Sequence, residues 1–218
     1  MKKLFLFFLI VLTIGQFSWA QEIINKPAKA RPLYGGYIGL GVGIMTDKLS
    51  DHFNPLIMLP LTGDFIYKGF MAQLNLDGGW AKVSKTMMFP DSTTWNKGAN
   101  SWHSTLGFNI GFSVYNSKKL RITPLVGYAN ITITKSFWSM NDNEPSINCI
   151  NVGFVLDFKN SFISKDNAAL VSNHSSYTGL RVMAGAYLPY EDTQPYPNYY
   201  NGATIYISVG IVDFNLIK

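Results

Sequence analysis

From residue 102 to residue 133 apolar and polar positions alternate with a period of two, broken once by the polar tetrad Asn116-Ser117-Lys118-Lys119. In the first arm Trp102, Leu106, Phe108, Ile110, Phe112 and Val114 share one parity, with Ser104 the exception; His103, Thr105, Gly107, Asn109, Gly111 and Ser113 share the other. A period of two is the signature of a β-strand, and about ten residues at roughly 3.3 Å each is the length of a tilted strand that crosses a bilayer. The two arms therefore read as a hairpin that spans a membrane twice.

The same division recurs along the chain. Strands are predicted over Tyr34–Met45, Ile57–Tyr67, Phe70–Val83, Ile147–Phe158, Tyr177–Leu188 and Ala203–Leu216 in addition to the two arms. In the first of these, Ile38, Leu40, Val42 and Ile44 alternate with Gly39, Gly41 and Gly43, a spacing that differs from the phosphate-binding GxGxxG. Such glycines leave room inside a narrow barrel for large neighbours on adjacent strands. Lys68-Gly69 reads as a tight turn. In the arm after the tetrad, Pro124 cannot donate to a strand ladder, which calls for a bulge or a missing bond there, and the apolar phase slips near Ala129-Asn130 in the manner of a bulge.

Eight strands result, with short turns at two of the three connections on the side of the termini and longer loops on the other. That asymmetry is the one expected of periplasmic turns and external loops. The fold class is thus all-β: an eight-stranded antiparallel up-and-down transmembrane barrel over residues 34–218. It is preceded by a signal peptide over residues 1–20, which has basic Lys2 and Lys3, an apolar run from Leu4 to Ile14, and small Ser18 and Ala20 before the cut. A short polar periplasmic leader fills residues 21–33.

Composition sharpens this picture. The chain is 47% hydrophobic and 14% charged, with the apolar residues after the signal dispersed in alternation rather than gathered into a spanning helix. Only helices and closed barrels satisfy their backbone groups in hydrocarbon, so dispersed apolarity points to a lipid-facing barrel. A soluble secreted β-barrel that binds a small apolar ligand is the competing reading. The net charge of +5 falls to +3 once Lys2 and Lys3 leave with the signal, too mild and scattered for nucleic acid. The single Cys149 excludes an intrachain disulfide.

On the strength of these eight alternating strands and their loop asymmetry, the chain resembles the small outer-membrane barrels of the OmpA and OmpX type over Tyr34–Lys218. The resemblance implies an integral protein of the bacterial outer membrane, exported by its signal peptide, with both termini in the periplasm. Members often end on an aromatic residue that serves the insertion machinery; here Phe214 stands in that role, slightly inside the end.

An eight-stranded barrel is just wide enough for side chains to fill its interior. Inward Asp64, Asp77, Arg121, Asp157 and Arg181 are then expected to neutralise one another as a charge network, because unpaired charges would be costly in so confined a space. Trp95, Trp138, Tyr190, Tyr196, Tyr199 and Tyr200 are the candidate external-loop contacts, either as an interfacial girdle or as a face for an extracellular protein or glycan. No catalytic, cofactor or metal residues are assigned. His52, His103 and His174 are the only histidines, and the one His-x-Ser spacing, His174 to Ser176, falls at the periplasmic end of the seventh strand. The functional expectation is a monomeric barrel with a structural, adhesion or envelope-interaction role and no catalysis, in contact with outer-membrane lipids and with the insertion machinery. A lipid A deacylase or acyltransferase is the enzymatic alternative.

Overall fold

The computed structural model describes residues 32–88, 94–135, 145–159, 176–190 and 201–216. The predicted signal peptide and nearly all of the leader lie outside these residues. In chain order the elements are β1 (Leu33–Met45), α1 (Asp47–His52), β2 (Leu56–Leu59), β3 (Leu61–Tyr67), β4 (Phe70–Lys82), β5 (Met87–Met88), β6 (Thr94–Trp95), β7 (Asn100–Phe112), β8 (Tyr115–Asn116), β9 (Leu120–Thr134), β10 (Ser146–Lys159), β11 (Tyr177–Pro189) and β12 (Thr204–Leu216).

Every long strand pairs antiparallel with the next, and β1 returns to pair with β12 from Leu33↔Leu216 to Met45↔Thr204, so the sheet closes on itself. The eight staves are those expected from the alternation. The second is divided into β2 and β3 by Pro60, which has no N–H to offer; its carbonyl still accepts from Gly39 N at 3.1 Å, and the register on either side is unchanged. Lys68 and Gly69 both carry positive φ (50° and 85°) between the paired residues Tyr67 and Phe70, the two-residue hairpin turn whose twist matches that of the strands.

Pro124 is accommodated by its neighbour. Gly111 stands opposite Leu125 and Tyr115 opposite Ile122, so residues 112–114 face only 123 and 124: a bulge on the β7–β8 side. The expected phase slip at Ala129-Asn130 is absent. Pairing of β9 with β10 runs without interruption from Leu120 to Thr132, and Ala129, Ile131 and Ile133 point inward while Asn130 and Thr132 point out. The apparent slip arises because the barrel interior changes from polar to apolar at this height, where Ile131 and Ile133 join a buried apolar cluster. The outward polar residues bond to one another instead: Asn130 Nδ2 donates to Ser146 Oγ at 2.8 Å and to Asn148 Oδ1 at 2.9 Å, and the Tyr128 hydroxyl donates to Asn148 Oδ1 at 2.6 Å.

The outer wall is apolar on every stave, with Ile38, Leu61, Leu76, Phe108, Val126, Phe154, Leu180 and Ile211 all exposed. Inward glycines make the narrow lumen fillable. Gly153, Gly185 and Tyr206 sit side by side on β10, β11 and β12, and a Cβ at residue 185 would lie 2.7 Å from the Tyr206 hydroxyl and 2.6 Å from the Val152 carbonyl oxygen.

Candidate functional site in the barrel interior

The inward faces build two zones. Nearer the chain termini the lumen is polar. Asp157 on β10 stands directly opposite Arg121 on β9 and Arg181 on β11, so the register delivers a carboxylate between two guanidinium groups. Arg121 Nε donates to Asp157 Oδ2 at 2.9 Å and Arg181 Nε to Asp157 Oδ1 at 2.6 Å; Arg181 also reaches across to pair with Asp64. The Tyr177 hydroxyl adds a donor to Asp157 at 3.3 Å. Aromatic faces flank the cations, with the Phe214 ring centroid 4.8 Å from Arg121 Cζ and 5.5 Å from Arg181 Cζ.

From Asp64 the bonds continue through neutral groups. Gln73 Nε2 donates to Asp64 Oδ1 at 2.9 Å, Asn109 Nδ2 to Gln73 Oε1 at 3.0 Å, Asn151 Nδ2 to Asn109 Oδ1 at 3.0 Å, and the Tyr206 hydroxyl to Asn151 Oδ1 at 3.1 Å. These links join β3, β4, β7, β10 and β12 through the middle of the barrel. Sequence alternation marks each of these residues as inward, but their order in the chain of bonds comes from the register.

Four of the five charges expected to form one network do so; Asp77 does not. It lies on β4 opposite Thr105, in a layer further from the termini than the arginines, and it accepts from the Leu61 backbone N–H and from the Tyr187 hydroxyl, the latter to Oδ2 at 2.6 Å. Both arginines enter from strand ends on the terminal side and are consumed by Asp157 and Asp64 before reaching that layer.

Towards the loop end the lumen turns apolar. Leu49 of α1 packs in the same buried cluster as Phe53, Leu56, Met58, Val83, Met87, Ile133 and Ile147. Thr46 N donates to Ala203 O and Asn54 N to Lys82 O, each at 2.9 Å, which ties the first loop to the rim on both sides. Trp95, expected as an external contact, is buried instead at 6% exposure, its ring set edge-on to Phe53 at 6.4 Å. The short ribbon of β5 and β6 turns it inward, which a reading of loop composition could not show. Tyr190 is exposed, beside Tyr128 at 6.3 Å. Trp138, Tyr196, Tyr199 and Tyr200 lie outside the described residues.

Beneath Phe53, 5.2 Å from its ring, sits His103, and Ser101 Oγ is 3.1 Å from His103 Nε2. The pairing follows from the i, i+2 rule that places both on the inner face of β7. Ser101 Oγ lies 3.1 Å from Ala81 O as well as from His103 Nε2, and the imidazole tautomer sets which of the two receives its proton. Both are buried interior groups, Ser101 at 1% and His103 at 4% exposure. His52 closes α1, where partial burial holds its imidazole below the usual value. His174 lies outside the described residues, and among the described residues no group of three or more His, Cys, Asp or Glu could hold a metal ion.

No protein-family model matches the chain, and no curated protein matches it. Among solved structures it is similar to Ail, the attachment invasion locus protein of Yersinia pestis, crystallised with the heparin analogue sucrose octasulfate; identity is 7%, coverage 86% of this chain and 99% of that one, and the TM-score 0.38. Closure of β1 on β12 and the apolar outer wall decide the architecture. The chain is an eight-stranded antiparallel barrel of the outer-membrane type. On the barrel's lipid-facing side, Trp80 stacks on Trp102 at 6.5 Å, the amphipathic pair expected where a strand leaves hydrocarbon.

Proposed function

We propose that this barrel is a closed, non-conducting element of the bacterial outer membrane whose role is structural or adhesive, carried by the loops it displays, and that it performs no catalysis. The observation that supports this reading most is the filling of its lumen: bridged charges on the terminal side and an apolar cluster of α1, β5 and β6 residues at the mouth. A water-filled path would be lined by solvated charges, whereas here Arg121, Arg181, Asp64 and Asp157 pair with one another. The Ser101–His103 pair supports the non-catalytic part, since both groups are buried beneath the apolar mouth, closed off from lipid substrate.

Fractionation and lipid analysis test it together. The protein is expected in the outer-membrane fraction and released only by detergent, and lipid A from cells with and without it is expected to have identical masses. Recovery in the soluble periplasm would overturn the membrane location. Loss or gain of an acyl chain would overturn the non-catalytic role and favour the lipid-modifying alternative.

A further inference from the structure

The lumen holds an imbalance that the paired network does not resolve. Among the described inward residues, Arg121 and Arg181 face three carboxylates, Asp64, Asp157 and Asp77, and both arginines are engaged by the first two. Lys159 is held at the terminal rim, its ammonium donating to Ser117 O at 2.9 Å. Asp77 therefore stands as the carboxylate without a cation, accepting only neutral donors, the Tyr187 hydroxyl and the Leu61 backbone N–H.

Around that carboxylate the protein leaves polar atoms without partners. Asp77 Oδ1 has no hydrogen-bond partner, and neither Asn75 Oδ1 nor Asn75 Nδ2 has one, although Asn75 is fully buried. Asn75 and Asp77 are successive inward positions on β4, about 7 Å apart along the strand. Opposite them in register, Gly107 contributes no side chain beside Asn75, and Thr105 places a hydroxyl-bearing residue beside Asp77. Buried amides and carboxylates are normally satisfied, and an uncompensated carboxylate in a protein interior is far costlier than an unbonded amide.

We infer that Asp77 and Asn75 form the protein side of an internal site for a monovalent alkali cation. The free Oδ1 atoms of both residues are hard oxygen donors of the type such ions take. A single carboxylate supplies the one negative charge that a monovalent ion neutralises, where a calcium site would gather several carboxylates. Water alone would satisfy Asn75 but bring no positive charge to Asp77, which without a cation would have to take up a proton. The Tyr187 bond holds the carboxylate in place, and the Tyr187 ring is itself fixed by stacking on Tyr206 at 4.8 Å.

Rubidium is the direct probe. Detergent-folded protein crystallised in rubidium chloride is expected to show an anomalous peak within ligand distance of Asp77 Oδ1 and Asn75 Oδ1. In Asp77→Asn, which keeps an acceptor for the Tyr187 hydroxyl, that peak is expected to vanish; in Asn75→Ala it is expected to weaken. No peak in the wild type, or a peak that persists in Asp77→Asn, would overturn the assignment. A solution readout accompanies it: the urea midpoint of the wild type should be higher in sodium chloride than in choline chloride at equal ionic strength, and that of Asp77→Asn should be the same in both. A wild-type midpoint indifferent to the cation would overturn the site as surely as an absent peak.

Discussion

Arg181 Nε donates to Asp157 Oδ1 at 2.6 Å from the directly opposite register position, and both side chains are fully buried. The other edge of the same guanidinium pairs with Asp64 on the far wall, so one residue fastens β11 to its neighbour β10 and across the lumen to β3.

Removing that guanidinium should be expensive. In Arg181→Ala, Asp64 keeps only neutral donors from Gln73 and Thr62, and Asp157 keeps Arg121 and the Tyr177 hydroxyl. Breaking a buried pair in this way costs about 3–5 kcal/mol. Urea unfolding in lipid vesicles measures it, and Arg181→Lys should recover only part of the loss because a point charge cannot bond both carboxylates along two edges.

The facing of the strands predicts a dependence on depth. Phe108 is 52% exposed in the middle of β7, and an arginine there should cost about 2–4 kcal/mol, falling to about 0–1 kcal/mol when it replaces Tyr67 beside the hairpin turn. Equal costs at the two positions, measured by folding titrations into bilayers, would contradict the assignment of the lipid face.

Gly185→Ala tests the filled lumen. The new methyl would meet the Val152 carbonyl at 2.6 Å as well as the Tyr206 hydroxyl, so overpacking should lower stability by about 1–3 kcal/mol. Trimming the hydroxyl in a Tyr206→Phe background should not restore it, because the closer atom belongs to the backbone. Chemical denaturation of the single and double variants checks this.

Much of this architecture is legible in sequence because a barrel wall is the simplest of patterns. One parity faces lipid and the other the lumen, so Leu106, Phe108 and Ile110 declare themselves beside Thr105, Gly107 and Asn109. What alternation cannot carry is height. It marks Asp77 as inward but not as lying in a different layer from Arg181, since height depends on strand stagger around the closed sheet. For the same reason Ile131 and Ile133 mimic a phase slip: the lumen's own polarity changes along the barrel axis while the pleat continues. Trp95 misleads in another way, because a loop's aromatic residues are equally suited to solvent-facing contact and to folding back over a mouth, and the Phe53 ring that receives it is distant in sequence.

The tryptophans give an independent check on those positions. In variants that keep one tryptophan each, Trp80 and Trp102 should be quenched by brominated lipid, whereas Trp95 should resist both brominated lipid and aqueous iodide. Strong iodide quenching of Trp95 would place it outside the mouth and return it to the external contact face.

Closure of the lumen is tested most directly by planar-bilayer recording on purified, refolded protein. With Arg121, Arg181, Asp64 and Asp157 bonded to one another and the mouth filled by Leu49, Phe53, Met87 and Trp95, the wild type should show no steady conductance above that of the bare membrane. Resolvable, ohmic wild-type openings whose ion selectivity shifts in Arg181→Ala would contradict a closed barrel and make transport its function.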